Sequence, residues 1–468
     1  MNVAIKEKRK ISWSVISLIL LLCGSMLMLK NGVYLFTCMS TLILIFLLLW
    51  RNNRPGVLLF AFVMQWTQII AYVVWMNVRG VDINFLSPHA DIAVVVSCLG
   101  LLAMAAIVSR GVKNLPVPSR QKLAEEASRI NERKILFLYL GSTLFLSSIG
   151  FILGASSGLT QILVTLSSLK WIFFLVYGYV AWLNKKNRLV LGIMIVYEFA
   201  TSLYSYFSSF KQVILIVIIL AITFIATIKL RQIFYSLIVM LLLGFMGVTW
   251  SAIKSDYRKY VSGGQKQQVV VVSREDALSK IGEEVSGLTA QRYQFAIMIT
   301  LYRVQYIFHL ARTMDRVPKI LPHENGKLWA SNLGFILLPR ILFPNKPIFD
   351  ATQKTNKYTG LNYGGYTKGT SFGIGYFADC YIDFGYIGMV IPLALIALFV
   401  TMIYRVLYNF SSLNILFRYA LINVCLFNFT SFESDGIIVI GRLLITFLVF
   451  WAISRTIFPR IQRWLYKK

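Results

Sequence analysis

Apolar residues occur along this chain in long unbroken blocks, not in alternation with polar ones. A bilayer-spanning helix needs about 20 mostly apolar residues. Blocks of that kind occupy 11–29, 32–50, 56–77, 91–109, 135–154, 159–182, 189–207, 211–228, 232–253, 385–404, 414–430 and 436–454. They predict an all-α polytopic membrane protein with about twelve transmembrane helices. The long polar stretch 254–384 separates the ninth block from the tenth. It opens with a Gly/Gln patch at Ser262–Gln268, followed by a charged helix expected near 273–286 and a long helix over 290–316. Phe295 to Ala311 is apolar enough to dip into the bilayer, so the long helix is read as re-entrant or interfacial. Residues 340–380, rich in Gly, Pro, Lys and Tyr, are expected to form an ordered loop. The chain thus divides into helices one to nine (1–253), a large external loop domain (254–384), and helices ten to twelve with a tail (385–468).

Composition agrees with this pattern. Of 468 residues, 57% are hydrophobic and 14% charged, too few charges to cover a water-facing surface. A soluble enzyme and a disordered tail protein are excluded on that ground. The balance of 47 basic to 19 acidic residues would suggest nucleic acid in a soluble protein. In a membrane protein it first reflects the collection of Lys and Arg in cytoplasmic loops. With the N-terminus placed inside, 24 basic residues face the cytoplasm and 2 lie in short external loops, so both termini are expected to be cytoplasmic. A further 17 lie in 254–384 beside 10 acids, which makes that segment a basic external domain. Lys6, Lys8, Arg9 and Lys10 precede the first block without a clear cleavage site, and a retained helix is expected. Cys23, Cys38, Cys98, Cys380 and Cys425 form no CxxC pair, and neither a metal nor another cofactor is expected.

Charges at membrane depth usually face a partner or a cavity. Lys170 and Glu198 lie midway along consecutive blocks, where antiparallel packing would bring them together as an ion pair or a cavity floor. Arg418 is placed to snorkel, and Arg442 lies about two turns below the external surface, after Glu433 and Asp435. Lys211 closes the run Ser205–Lys211 at a helix start, as an interfacial anchor or a phosphate contact.

Two stretches bear on chemistry. The first is Leu338-Pro339-Arg340-Ile341-Leu342-Phe343-Pro344-Asn345-Lys346-Pro347. The second is Gly375-Tyr376-Phe377-Ala378-Asp379-Cys380-Tyr381-Ile382-Asp383-Phe384-Gly385-Tyr386-Ile387-Gly388. With the twelve-block topology, these resemble the Wzy-type bacterial O-antigen and capsule repeat-unit polymerases, which are more distantly related to O-antigen ligases. That family pattern pairs a proline-arginine with an aromatic-proline-x-lysine-proline and an acid-x-tyrosine-x-x-phenylalanine-glycine. Here Lys211 stands where arginine is usual, and Asp379 where glutamate is usual.

The resemblance implies a metal-independent, multi-span glycosyltransferase of the bacterial inner membrane. Such an enzyme passes a growing glycan from undecaprenyl diphosphate to a lipid-linked repeat unit, with a flippase and chain-length regulators as partners. A ligase, or a flippase or other transporter, is the alternative. The chemistry needs cations for the departing diphosphate and a base for the acceptor hydroxyl. Candidate grips are Arg340, Lys211, Arg292, Arg303, Arg312, Lys346 and Arg442, with Tyr381 against sugar. Candidate bases are Asp379, Asp383 and His309; either carboxylate could instead cap a helix or pair with a cation such as Lys368, and His309 could simply be packed.

Overall fold

The computed structural model describes residues 10–152, 160–203, 210–225, 227–264, 271–338, 343, 349–364 and 371–466. Among these the architecture is all-α, apart from a two-residue parallel pair of Lys10–Ile11 with Thr227–Ile228. Each apolar block becomes one helix or two consecutive ones. Seven described helices are long and apolar enough to cross a membrane: Gly32–Leu49, Val57–Val78, Ala90–Val112, Ile162–Asn184, Leu230–Val261, Val390–Tyr408 and Gly436–Thr456. Three shorter apolar helices, Trp13–Met26, Phe210–Phe224 and Ile415–Thr430, accompany them. This is the make-up of a membrane protein.

The centre of the bundle holds Leu169–Asn184 and Ile415–Leu426, packed against each other. The first is buried continuously from Trp171 to Ala181, as an apolar helix must be when neighbours surround it. At the periphery, Leu230–Val261 buries only Gly247, Trp250, Ile253, Tyr257 and Val261. Its other half exposes Phe234, Leu237, Met240, Leu241 and Phe245, a surface suited to lipid. At 32 residues it is about 48 Å long against a hydrocarbon core of about 30 Å, so one end must emerge.

Several expected elements are redrawn. The helix over 290–316 breaks at Gln305, whose ψ of 77° is non-helical, into Ala290–Val304 and Ile307–Arg316. The tenth block is entered through a separate helix, Tyr376–Gly388, and the span itself starts at Val390. Gly385, at φ 66° and ψ −166°, kinks the entry helix, a geometry that favours glycine. The expected loop over 340–380 contains a helix, Ala351–Thr359. Asp350 caps it by accepting from Thr352 N at 2.9 Å and Gln353 N at 3.2 Å, and Gly360 ends it in the left-handed region. Much of the Gly/Gln patch lies outside the described residues.

Candidate functional site

Three basic side chains converge from three helices. Lys211 opens Phe210–Phe224, Lys254 lies two turns before the end of Leu230–Val261, and Arg303 sits in the last turn of Ala290–Val304. They are close enough for Arg303 to oppose the charge on both lysines, and for Lys211 to oppose that on Lys254. Among the described residues none of the three is ion-paired with a carboxylate. Like charges held together without a counterion repel one another, and an anion placed among them relieves that repulsion.

An aromatic wall adjoins the cations. The Arg303 guanidinium lies 5.9 Å from the Phe372 ring centroid, and Phe372 stacks on Tyr363 at 4.4 Å. Tyr363 Oη is 2.8 Å from Tyr302 Oη and 3.0 Å from His309 Nε2. His309 is 3% exposed, and burial lowers its pKa to about 4, which leaves it neutral at pH 7. Tyr306 lies 4.9 Å ring to ring from His309. Burial raises its phenol pKa, Glu433 adds to the rise, and Arg303 opposes it. The wall is backed by helix Ala351–Thr359, whose Thr355 Oγ1 donates to Phe372 O at 2.8 Å while Thr352 Oγ1 accepts from Phe372 N at 2.9 Å.

Behind this wall is a buried ion triad. Lys354 Nζ lies 2.7 Å from Asp379 Oδ1 and 2.9 Å from Asp435 Oδ2. Gly436 N donates to Asp379 Oδ2 at 2.8 Å, and Ile374 N to Asp435 Oδ1 at 2.7 Å. Burial alone would lower the Lys354 pKa, but the two carboxylates outweigh it and hold it raised. Asp379 is raised to about 6 by burial, against the opposing pull of Lys354. The triad ties Ala351–Thr359 to the starts of Tyr376–Gly388 and Gly436–Thr456.

Lys211 and Arg303 therefore meet, with His309 nearby, and other expected site residues are committed to the fold. Asp379 belongs to the triad and is fully buried, so it is not an open base. Asp383 accepts from Leu328 N at 3.1 Å and Trp329 N at 2.7 Å, which caps helix Lys327–Leu337. Tyr381 is 1% exposed, and its hydroxyl is taken up by Val317 O at 2.8 Å. Arg292 is held by Asp256 at 2.6 Å and Glu284 at 3.6 Å, and Arg312 lies 3.7 Å from Asp315. Arg442 is exposed and feels the charge of Glu433. Arg340, Lys346, Lys368 and Ser205–Ser209 lie outside the described residues. Lys254, Lys354, Tyr363 and Glu433 escape the sequence motifs; Lys254 alone carried a signal, as a cation at the end of an apolar run.

The paired charges of the central blocks do meet. Lys170 Nζ lies 2.6 Å from Glu198 Oε2, and Tyr139 Oη donates to Glu198 Oε1 at 2.6 Å.

A family profile described as "Domain of unknown function (DUF8712)" matches residues 54–427. No curated protein and no solved structure matches the chain.

Proposed function

The chain belongs to this DUF8712 family, and we propose that it is a Wzy-type polymerase, which joins lipid-linked saccharide repeats by glycosyl transfer. The observation that carries the reading is the convergence of Lys211, Lys254 and Arg303 without carboxylate partners beside the Phe372–Tyr363 wall. Three cations from separate helices suit a diphosphate, and aromatic faces suit sugar rings.

In this reading the chain has twelve spans in the bacterial inner membrane, both termini are cytoplasmic, and 254–384 is external. The donor is a glycan on undecaprenyl diphosphate, and the acceptor is a lipid-linked repeat unit. The cations hold the diphosphate and stabilise the charge that develops as its bond to the anomeric carbon breaks. Arg303 engages two phosphate oxygens through its fork, whereas the lysines act as point charges. The exposed apolar half of Leu230–Val261 leaves the polyprenyl chain a lipid-facing approach to Lys254.

The test is the surface polysaccharide of a deletion strain, resolved on a gel. Loss of the ladder with single repeats retained is expected. Loss of every repeat from the outer core would instead identify a ligase, and cytoplasmic accumulation of lipid-linked units a flippase.

A further inference from the structure

With Asp379 and Asp383 committed to the fold, and with His309 made a weak proton acceptor by burial, the proposed reaction lacks a base; among the described residues Glu433 is a carboxylate beside the aromatic wall without a cation of its own. Glu433 lies on the turn between Ile415–Thr430 and Gly436–Thr456. Phe432, one residue before it, is buried, and Asp435, two residues after it, is locked in the Lys354 triad. The segment Gly373–Gly375 presses on this turn so closely that a Cβ at Gly373 would come 2.6 Å from the Glu433 carbonyl oxygen. The backbone of Glu433 is thus held from both sides.

Its carboxylate is held only in part. Gln68 Nε2 donates to Glu433 Oε2 at 2.6 Å, and among the described residues no cation pairs with it within salt-bridge distance. It is half-buried, and its field reaches Tyr306, which Arg303 also influences. Gly373, which presses on Glu433, directly follows Phe372, whose ring adjoins Arg303 and stacks on Tyr363, so Glu433 stands at the edge of the aromatic wall.

The surroundings contain polar atoms with nothing to bind. Gln305, at the helix break beside Tyr306, is 0% exposed, and neither atom of its amide has a hydrogen-bond partner among the described residues. The same holds for Gln68 Oε1 and His309 Nδ1. A buried polar group left unpaired costs about 1–3 kcal/mol, and native structures leave few. Amides, an imidazole and an aromatic ring beside a carboxylate form a set that matches sugar hydroxyls, which donate and accept at once.

We propose that Glu433 is the proton acceptor for the attacking hydroxyl of the acceptor saccharide, and that Gln68, Gln305 and His309 form the subsite that holds this saccharide. The inference rests on the glycosyl-transfer reading above. In the step, the acceptor oxygen bonds to the anomeric carbon, and its proton passes to the free Glu433 oxygen. The bond from that carbon to the diphosphate oxygen breaks, and its electron pair leaves with undecaprenyl diphosphate.

The test uses the purified full-length protein in liposomes with native lipid-linked repeat units, and measures the elongation rate and the binding of undecaprenyl diphosphate alone. Glu433→Gln is expected to slow elongation about 10²–10⁴-fold and to leave diphosphate binding unchanged. Glu433→Asp should retain a partial rate, and Gln305→Ala should raise the acceptor KM more than it lowers kcat. Glu433→Gln within threefold of wild type would overturn the assignment while the polymerase reading stands. Glu433→Asp as slow as Glu433→Gln, with diphosphate binding lost in both, would mark a structural role and also overturn it. A wild-type protein that elongates nothing would remove the polymerase reading and this inference together.

Discussion

Lys354 Nζ sits 2.7 Å from Asp379 Oδ1, fully inside the protein, with Asp435 as a second anion on the same ammonium. Removing the cation leaves two buried carboxylates facing each other, whereas removing Asp379 leaves a neutral pair. Breaking a buried ion pair from one side costs about 3–5 kcal/mol. Lys354→Met is expected to approach that loss and Asp379→Asn to cost less, since Asn can still accept from Gly436 N. Melting in detergent checks the order, and equal losses would refute the triad's role as a staple.

Two buried groups give opposite dependences on pH. The His309 pKa falls from 6.5 to about 4 on folding, so the unfolded chain binds more protons between those values. Its contribution to stability is complete above 6.5 and is lost as pH falls towards 4. The Asp379 pKa rises from 3.8 to about 6, so there the folded chain binds more protons and stability falls as pH rises from 3.8 to 6. Between pH 4 and 6 the two slopes oppose. His309→Gln should tilt the melting temperature downward with rising pH relative to wild type, and Asp379→Asn should tilt it upward. The same tilt in both variants would contradict the burial argument.

The cation cluster makes a graded prediction. A hydrogen bond to a charged group is worth about 1.5–3 kcal/mol, roughly one to two powers of ten in affinity. Alanine at Lys211, Lys254 or Arg303 should each weaken undecaprenyl diphosphate binding by about tenfold or more, with Arg303→Lys intermediate. Titration of the purified variants reads this directly. Three variants that all bind like wild type would remove the cluster from the site.

Asp383 should prove dispensable for chemistry. It caps Lys327–Leu337 with both oxygens, and Asn keeps one acceptor, so Asp383→Asn should cost about 1 kcal/mol of stability. Its polysaccharide ladder should stay normal. A lost ladder with unchanged melting would return Asp383 to the list of bases.

Reporter fusions after residue 270 and at the C-terminus should report opposite sides of the membrane, because 24 basic residues face inward in the twelve-span topology. Like behaviour at both points would exclude that topology.

Membrane residence and helical class were legible in the chain itself, because the bilayer demands about 20 apolar residues per span, and seven of the blocks fold into described helices of that length and character. The Lys170–Glu198 pair was legible for the same reason: consecutive antiparallel helices set two midpoint charges side by side. The cap and stop of Ala351–Thr359, Asp350 and Gly360, were also present as local signals, although the surrounding Gly and Pro concealed them. Tertiary structure alone decided which charges are free. Arg54 counts as an inward-facing topological charge, yet it is 3% exposed and its Nη1 donates to Val112 O at 2.6 Å. Asp379 bears the motif, yet a lysine 25 positions earlier pairs with one of its oxygens and the Gly436 N–H, two helices further on, donates to the other. Lys211, Lys254 and Arg303 are far apart in sequence and share no motif. A charge's role depends on whether a counter-charge lies within a few ångströms, and residues that distant along the chain acquire such neighbours only when the helices pack.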